Sequence, residues 1–180
     1  MSLRAGTYQL GPGDGTLSVR TGRTGAAAKA GHDLLLHVTA WEATLAVGGD
    51  LAATSVELAA DAASLRVREG RGGMQSLGDD DRASIEQTID DDVLKRQDIS
   101  FRSTRVEATA DGLSVTGDLT LRGTTRPIAF DLSVGDGRAH GAAVVKQTEW
   151  GMKPYTALFG ALKVADDVRV EIDVALDQSR

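Results

Sequence analysis

Apolar and polar residues alternate along much of the chain. Leu113, Val115, Gly117, Leu119 and Leu121 take every second position, with Ser114, Thr116, Asp118 and Thr120 between them. Successive side chains of a strand point to opposite faces, so this run predicts a strand with one buried face. After Gly123-Thr124-Thr125-Arg126-Pro127 the alternation restarts at Ile128, Phe130, Leu132 and Val134, and Asp136-Gly137 supplies the next turn. Val168, Val170, Ile172, Val174 and Leu176 form another such strand. Shorter ones fall at Leu17/Val19, Trp41/Ala43/Leu45/Val47, Val56/Leu58/Ala60, Leu65/Val67 and Ile99/Phe101. Many strands with hairpin-sized connections predict an all-β sandwich or closed barrel. A one-residue slip would turn a whole apolar face to water, so Leu119, Leu121, Ile128 and Phe130 are expected to point inward together.

Two segments break the alternation. From Asp80 to Leu94, apolar residues recur four apart at Ile85, Ile89 and Val93, behind the acidic run Asp79-Asp80-Asp81 and ahead of Lys95-Arg96. Acids at the start and bases past the end suit a helix macrodipole, so one amphipathic helix is expected between strands. Thr24 to Ala30 is alanine-rich and stops at Gly31, which predicts two helical turns.

Composition narrows the class. At 180 residues and 41% hydrophobic, the chain is long and apolar enough for one folded domain over 1–180. It has no cysteine, which excludes disulfides, thiolate metal sites and cysteine catalysis. The net charge of −6 opposes nucleic acid and anionic surfaces at long range. No apolar run is long enough for a spanning helix, and Met1-Ser2-Leu3-Arg4 opens no leader-like stretch, so the default location is the cytoplasm.

Catalytic chemistry finds few footholds. No nucleophile elbow, phosphate loop, dinucleotide fingerprint or calcium loop occurs, and no cofactor is expected. His32 and His37 are five apart, which in a continuous strand puts them on opposite faces, so no shared metal is expected. The pair His32-Asp33 after Gly31 is the remaining foothold for an enzyme acting on a lipid.

Two long connections hold the binding candidates. Arg66 to Arg82 contributes Arg66 and Arg68. Gln147 to Lys163 contributes Trp150, Met152, Lys153, Tyr155 and Phe159, following Lys146 at a strand end. Adaptable methionine and amphipathic aromatics between Gly151 and Gly160 read either as a pocket mouth gathering Trp150, Met152, Tyr155 and Phe159 against a ligand, or as a plug. Lys153 would meet a polar head group.

The stretch Leu119-Thr120-Leu121-Arg122-Gly123-Thr124-Thr125-Arg126-Pro127-Ile128 resembles the L-T-L-x-G-x-T-x-P hairpin of the YceI-like family of polyisoprenoid-binding proteins. Val93 to Phe101, ending in Asp98-Ile99-Ser100-Phe101, is similar to that family's helix end and following strand. Thr148-Glu149-Trp150-Gly151-Met152 stands at its R-x-x-F/W-G motif, with the glycine but without the arginine, and Gly31-His32-Asp33 resembles a variant opening. The likeness runs from about Gly6 to Leu176. It implies a lipocalin-like antiparallel barrel of about eight strands, one inserted helix, and an apolar lumen that takes a long chain. Leu119, Leu121, Ile128 and Phe130 would then line the lumen. The sequence thus favours a non-enzymatic carrier of an isoprenoid or acyl-chain molecule. The alternatives are a barrel filled by its own side chains, serving as a structural module, or a lipid-acting enzyme. With only 4% aromatics, small inward side chains leave volume, which favours an open lumen.

Overall fold

The computed structural model describes residues 3–177; Met1 and Ser2 lie outside them. The strands are β1 (Gly6–Leu10), β2 (Gly15–Thr21), β3 (Arg23–Thr24), β4 (His32–Val38), β5 (Trp41–Val47), β6 (Ser55–Ala60) and β7 (Leu65–Gly72). The helix α1 (Asp79–Thr88) follows. Then come β8 (Ile99–Ala108), β9 (Gly112–Leu121), β10 (Thr124–Gly135), β11 (Arg138–Lys146), β12 (Thr156–Ala157), β13 (Leu162–Val164) and β14 (Asp167–Ala175). Eleven strands form one antiparallel curled sheet in the order β1-β5-β6-β8-β9-β10-β11-β14-β2-β4-β7, and β12-β13-β3 form a small second sheet.

The expected count of about eight is therefore corrected to eleven, and the reason is bending. Three chain paths turn a corner where their pairing is interrupted: β1 to β2 at 11–14, β4 to β5 at 39–40, and β6 to β7 at 61–64. At that corner the Thr39 N–H donates to Ser64 O (2.9 Å) and the Asp61 N–H to Ala40 O (3.0 Å), so the ribbon holds through the bend. Each path thus counts as two strands.

The long hairpin of β9 and β10 keeps the inward phase expected of Leu119, Leu121, Ile128 and Phe130, and its pairing sets Leu119 opposite Arg126 and Ile128 opposite Gly117. Leu113 and Val115 are fully buried, and Val174 nearly so. They pack the end of the curl away from the helix.

The helix starts one residue earlier than expected, and the Asp81 carboxylate accepts the Gly78 N–H at 2.9 Å. After Thr88 it widens into a π turn over Ile89–Val93, where the Leu94 N–H reaches back five residues to Ile89 O. Apolar positions four apart drift about 40° per step around an α-helix of 3.6 residues per turn. The wider turn offsets that drift and keeps Ile85, Ile89, Val93 and Leu94 on the inner side.

The two helical turns expected from Thr24 to Ala30 are corrected to a single short turn, Ala28–Ala30. A run this short does not nucleate a helix alone. Arg23 and Thr24 pair instead with Val164 and Lys163, and the Ala27 N–H donates to Ala161 O at 2.9 Å. Gly25 carries this junction at φ +98°, where a Cβ would sit 2.2 Å from Ala161 O.

Segments 22–31, 73–98 and 147–166 all join strand ends at one rim of the curl. That rim is where the interior opens.

Candidate functional site

The inner faces of β2, β4, β8, β9, β10, β11 and β14 enclose an apolar cavity of about 540 Å³. One strand presents it with little bulk. On β11 the inward phase reads Ala139, Gly141, Ala143 and Val145, side chains too small to reach across the curl. Gly141 has no room for more, since a Cβ there would meet Leu132 Cδ2 at 2.6 Å. On the strands that follow β11 around the sheet, Phe101 and Phe130 pack their rings at 5.5 Å between centroids, tilted 57°, and Phe101 fits because Gly117 faces it. Phe130 and Ile128 are half-buried because their exposed faces look into the cavity.

The rim is built from α1 on one side and from the β12-β13-β3 flap on the other. The Glu86 carboxylate accepts the Val67 N–H at 2.9 Å and ties the helix to β7. The flap is anchored by Asp166, whose carboxylate accepts both the N–H (2.8 Å) and the hydroxyl (2.6 Å) of Thr148. The Thr148 hydroxyl, foremost, holds the Asp166 carboxyl below its usual range.

The polar groups of the wall gather at this rim. Arg23 donates to Gly31 O and lies 3.6 Å from the Asp33 carboxylate. His32 bonds Gln75 O at 2.7 Å, and since a carbonyl only accepts, Nε2 carries the proton. Gly72 and Gly73 make space for both: with φ near +77° on average (+79° and +75°), a Cβ at either would collide with Arg23 or His32. His32 and Asp33 thus engage separate partners.

Of the residues singled out above, Leu119, Leu121, Ile128, Phe130, Met152 and Tyr155 line the cavity. The expected gathering of Trp150, Met152, Tyr155 and Phe159 is corrected. Trp150 is buried in the wall, donating its indole N–H to Leu119 O at 2.9 Å, and Phe159 points fully into solvent. Neither lines the cavity, because a short helical turn at Gln147–Trp150 folds the indole back while Pro154 and the flap carry Phe159 outward. Lys153 and Lys146 are exposed and stand away from the wall. Arg66 and Arg68 belong to β7, not to a loop. With Leu65 and Val67 inward, their side chains fall on the outer face, where Arg66 reaches Glu86 (4.0 Å) and Ala63 O (2.8 Å).

The residues that sequence reasoning missed are Ala143 and its β11 neighbours, Arg23, and the cavity side of α1. The β11 alternation was present in the sequence, but alanine and glycine barely register as apolar. Arg23 gave no signal, since its position depends on pairing across 140 residues of chain.

His32 faces inward with Leu34 and Leu36, and His37 faces outward beside Arg68 and Arg20. Burial first, then these two cations, lowers the His37 imidazole from its usual 6.5. As pH falls, the unfolded chain takes up this proton before the folded one does, so stability is full above 6.5 and declines below it. Thermal melts are expected to fall through that window, and His37→Gln should flatten the decline. Identical pH profiles would remove His37 from the account. Among the described residues no cluster of three His, Asp or Glu is placed to hold a metal, and no helix is long and apolar enough to cross a membrane.

A curled antiparallel sheet with an inserted helix and an apolar cavity defines a β-barrel-like fold. The YceI-like domain profile matches residues 13–176, and the chain belongs to this family. Two solved structures share the fold. BcnA of Burkholderia cenocepacia superposes with a TM-score of 0.59 at 16% identity, covering 88% of this chain and 94% of that one. The YceI protein of Campylobacter jejuni gives 0.58 at 16% identity, covering 81% and 85%. No curated protein matches by sequence.

Proposed function

We propose that the protein binds a single-chain apolar or amphiphilic molecule, an isoprenoid or acyl chain, inside the curl and carries it without chemical change. The observation that supports this most is the cavity itself, kept open by the small inward face of β11. A volume of about 540 Å³ is typical of ligand chambers, which run from ~300 to ~1,000 Å³. A barrel serving only as a structural module has no need of such a void, because voids forfeit packing contacts. Membership of a family generally known for binding polyisoprenoids points the same way. Against an enzyme stands the separation of His32 and Asp33, each held by its own partner.

The cavity has room for roughly 18 methylene-sized groups at ~30 Å³ each, the share of a water molecule in the liquid. Any longer tail would leave through the rim. In a series of straight-chain alcohols, affinity is expected to rise up to about fourfold per methylene, from ~0.8 kcal/mol each. It should flatten near that length. Calorimetric or fluorescence titration across the series tests this, and affinity independent of chain length would refute the reading.

A further inference from the structure

The rim carries an aromatic side chain that packs against nothing. Phe159 is the most exposed large apolar residue among those described, and Leu158 beside it is 55% exposed. Both hold left-handed backbone, at φ 55° and 51°. Bulky residues are disfavoured there, where glycine or asparagine is tolerated. The turn therefore accepts two costs, backbone strain and exposed apolar surface. Neither residue lines the cavity, so neither cost is offset by holding a ligand inside.

Charge at this lip also departs from the rest of the chain. Segments 22–31 and 147–166, joined through the small sheet, carry Arg23, Lys29, Lys153 and Lys163 against Glu149 and Asp166, in a chain of net charge −6, and the Asp166 carboxylate is engaged by Thr148. Arg23 turns toward Gly31 and Asp33. Lys29, Lys153 and Lys163 are exposed, and none has an ion-pair partner among the described residues. The acidic runs at 79–81 and 90–92 belong to the helical segment, which leaves β7 and returns to β8, whereas the flap stands over β11, β14 and β2. Charges are screened beyond ~8–10 Å at ordinary salt. The lysines therefore contribute a local positive field at the lip.

We propose that Leu158 and Phe159, flanked by Lys29, Lys153 and Lys163, dock the cavity rim on a bilayer containing anionic phospholipid, with Phe159 entering the boundary between head groups and acyl chains. An apolar wedge among unpaired cations is the composition that binds such an interface. The acidic helix, repelled by the same surface, tilts the docked molecule so that the flap faces the lipid. Leu158 and Phe159 lie outside the cavity, and docking needs no ligand inside it.

The test is co-sedimentation of the full chain with vesicles of phosphatidylcholine alone and of an equimolar phosphatidylcholine–phosphatidylglycerol mixture. The protein should pellet with the mixed vesicles and far less with the neutral ones. The double variant Leu158→Asn, Phe159→Asn keeps residues that tolerate the left-handed turn. It should lower binding at least about tenfold, the loss of one buried aromatic, with an equal or higher melting temperature. Lys153→Gln and Lys163→Gln should each cost about fivefold. Three results would overturn the proposal: no binding to either vesicle, equal binding by the asparagine variant, or Phe159-dependent self-association without vesicles. The last would assign the patch to a second copy of the chain.

Discussion

Replacing Ala143 with phenylalanine is expected to abolish binding of a long acyl chain while leaving the protein at least as stable as before. Ala143 lies opposite Val170 on the inner wall and faces the cavity. The six extra carbons of phenylalanine occupy ~180 Å³ at ~30 Å³ each, about a third of the space. A bound chain would lose about six methylene contacts. At ~0.8 kcal/mol each, affinity should fall about three-thousandfold. Filling a void with apolar atoms restores contacts that its lining lacks, so the melting temperature should hold or rise. Palmitate titration and a thermal melt on the same sample check both halves. Unchanged binding would mean the chain sits elsewhere, and a sharp loss of stability would mean the space is already filled.

Trp150→Ala is expected to be the most damaging single truncation among residues that do not line the cavity. The indole is 2% exposed and its N–H is bonded to Leu119 O. Truncating a buried aromatic costs ~3–5 kcal/mol. At ~2–4 °C per kcal/mol for a domain of this size, the melting temperature should drop by at least ~6 °C. Phe130→Ala provides the contrast. Its ring is only half-buried and borders the cavity, so part of its surface has no protein partner to lose. It should cost clearly less. Equal losses would contradict the distinction between a packed wall residue and a lining one. Trp150→Phe, which keeps most of the bulk, separates the packing from the hydrogen bond, which is worth about 0.5–1.5 kcal/mol.

The strands were legible where large apolar residues alternate. β9 and β10 could be placed with the inward phase of Leu119, Leu121, Ile128 and Phe130, because a slip would expose all four. The helix was legible from Ile85, Ile89 and Val93, although its change of pitch was not, since a four-residue spacing fits either kind of turn. The corner at 11–14, 39–40 and 61–64 left no mark, because alternation resumes on both sides of a bend. The cavity wall was half legible. Its large residues declared themselves, whereas the small ones of β11, which create the space, carry too little hydropathy to stand out. Aromatic clustering misled at Trp150 and Phe159, since closeness in sequence says nothing about which way a turn folds each ring. Arg66 and Arg68 misled for a related reason. They were read as loop residues when strand phase had already turned them outward.

The proposed function turns on an apolar chain held in the cavity. Native mass spectrometry of the protein purified from its own host, beside Ala143→Phe prepared identically, tests it most directly. A co-purified apolar molecule is expected on the native chain and missing from the variant. Two bare protein masses, or the same adduct on both, would contradict it.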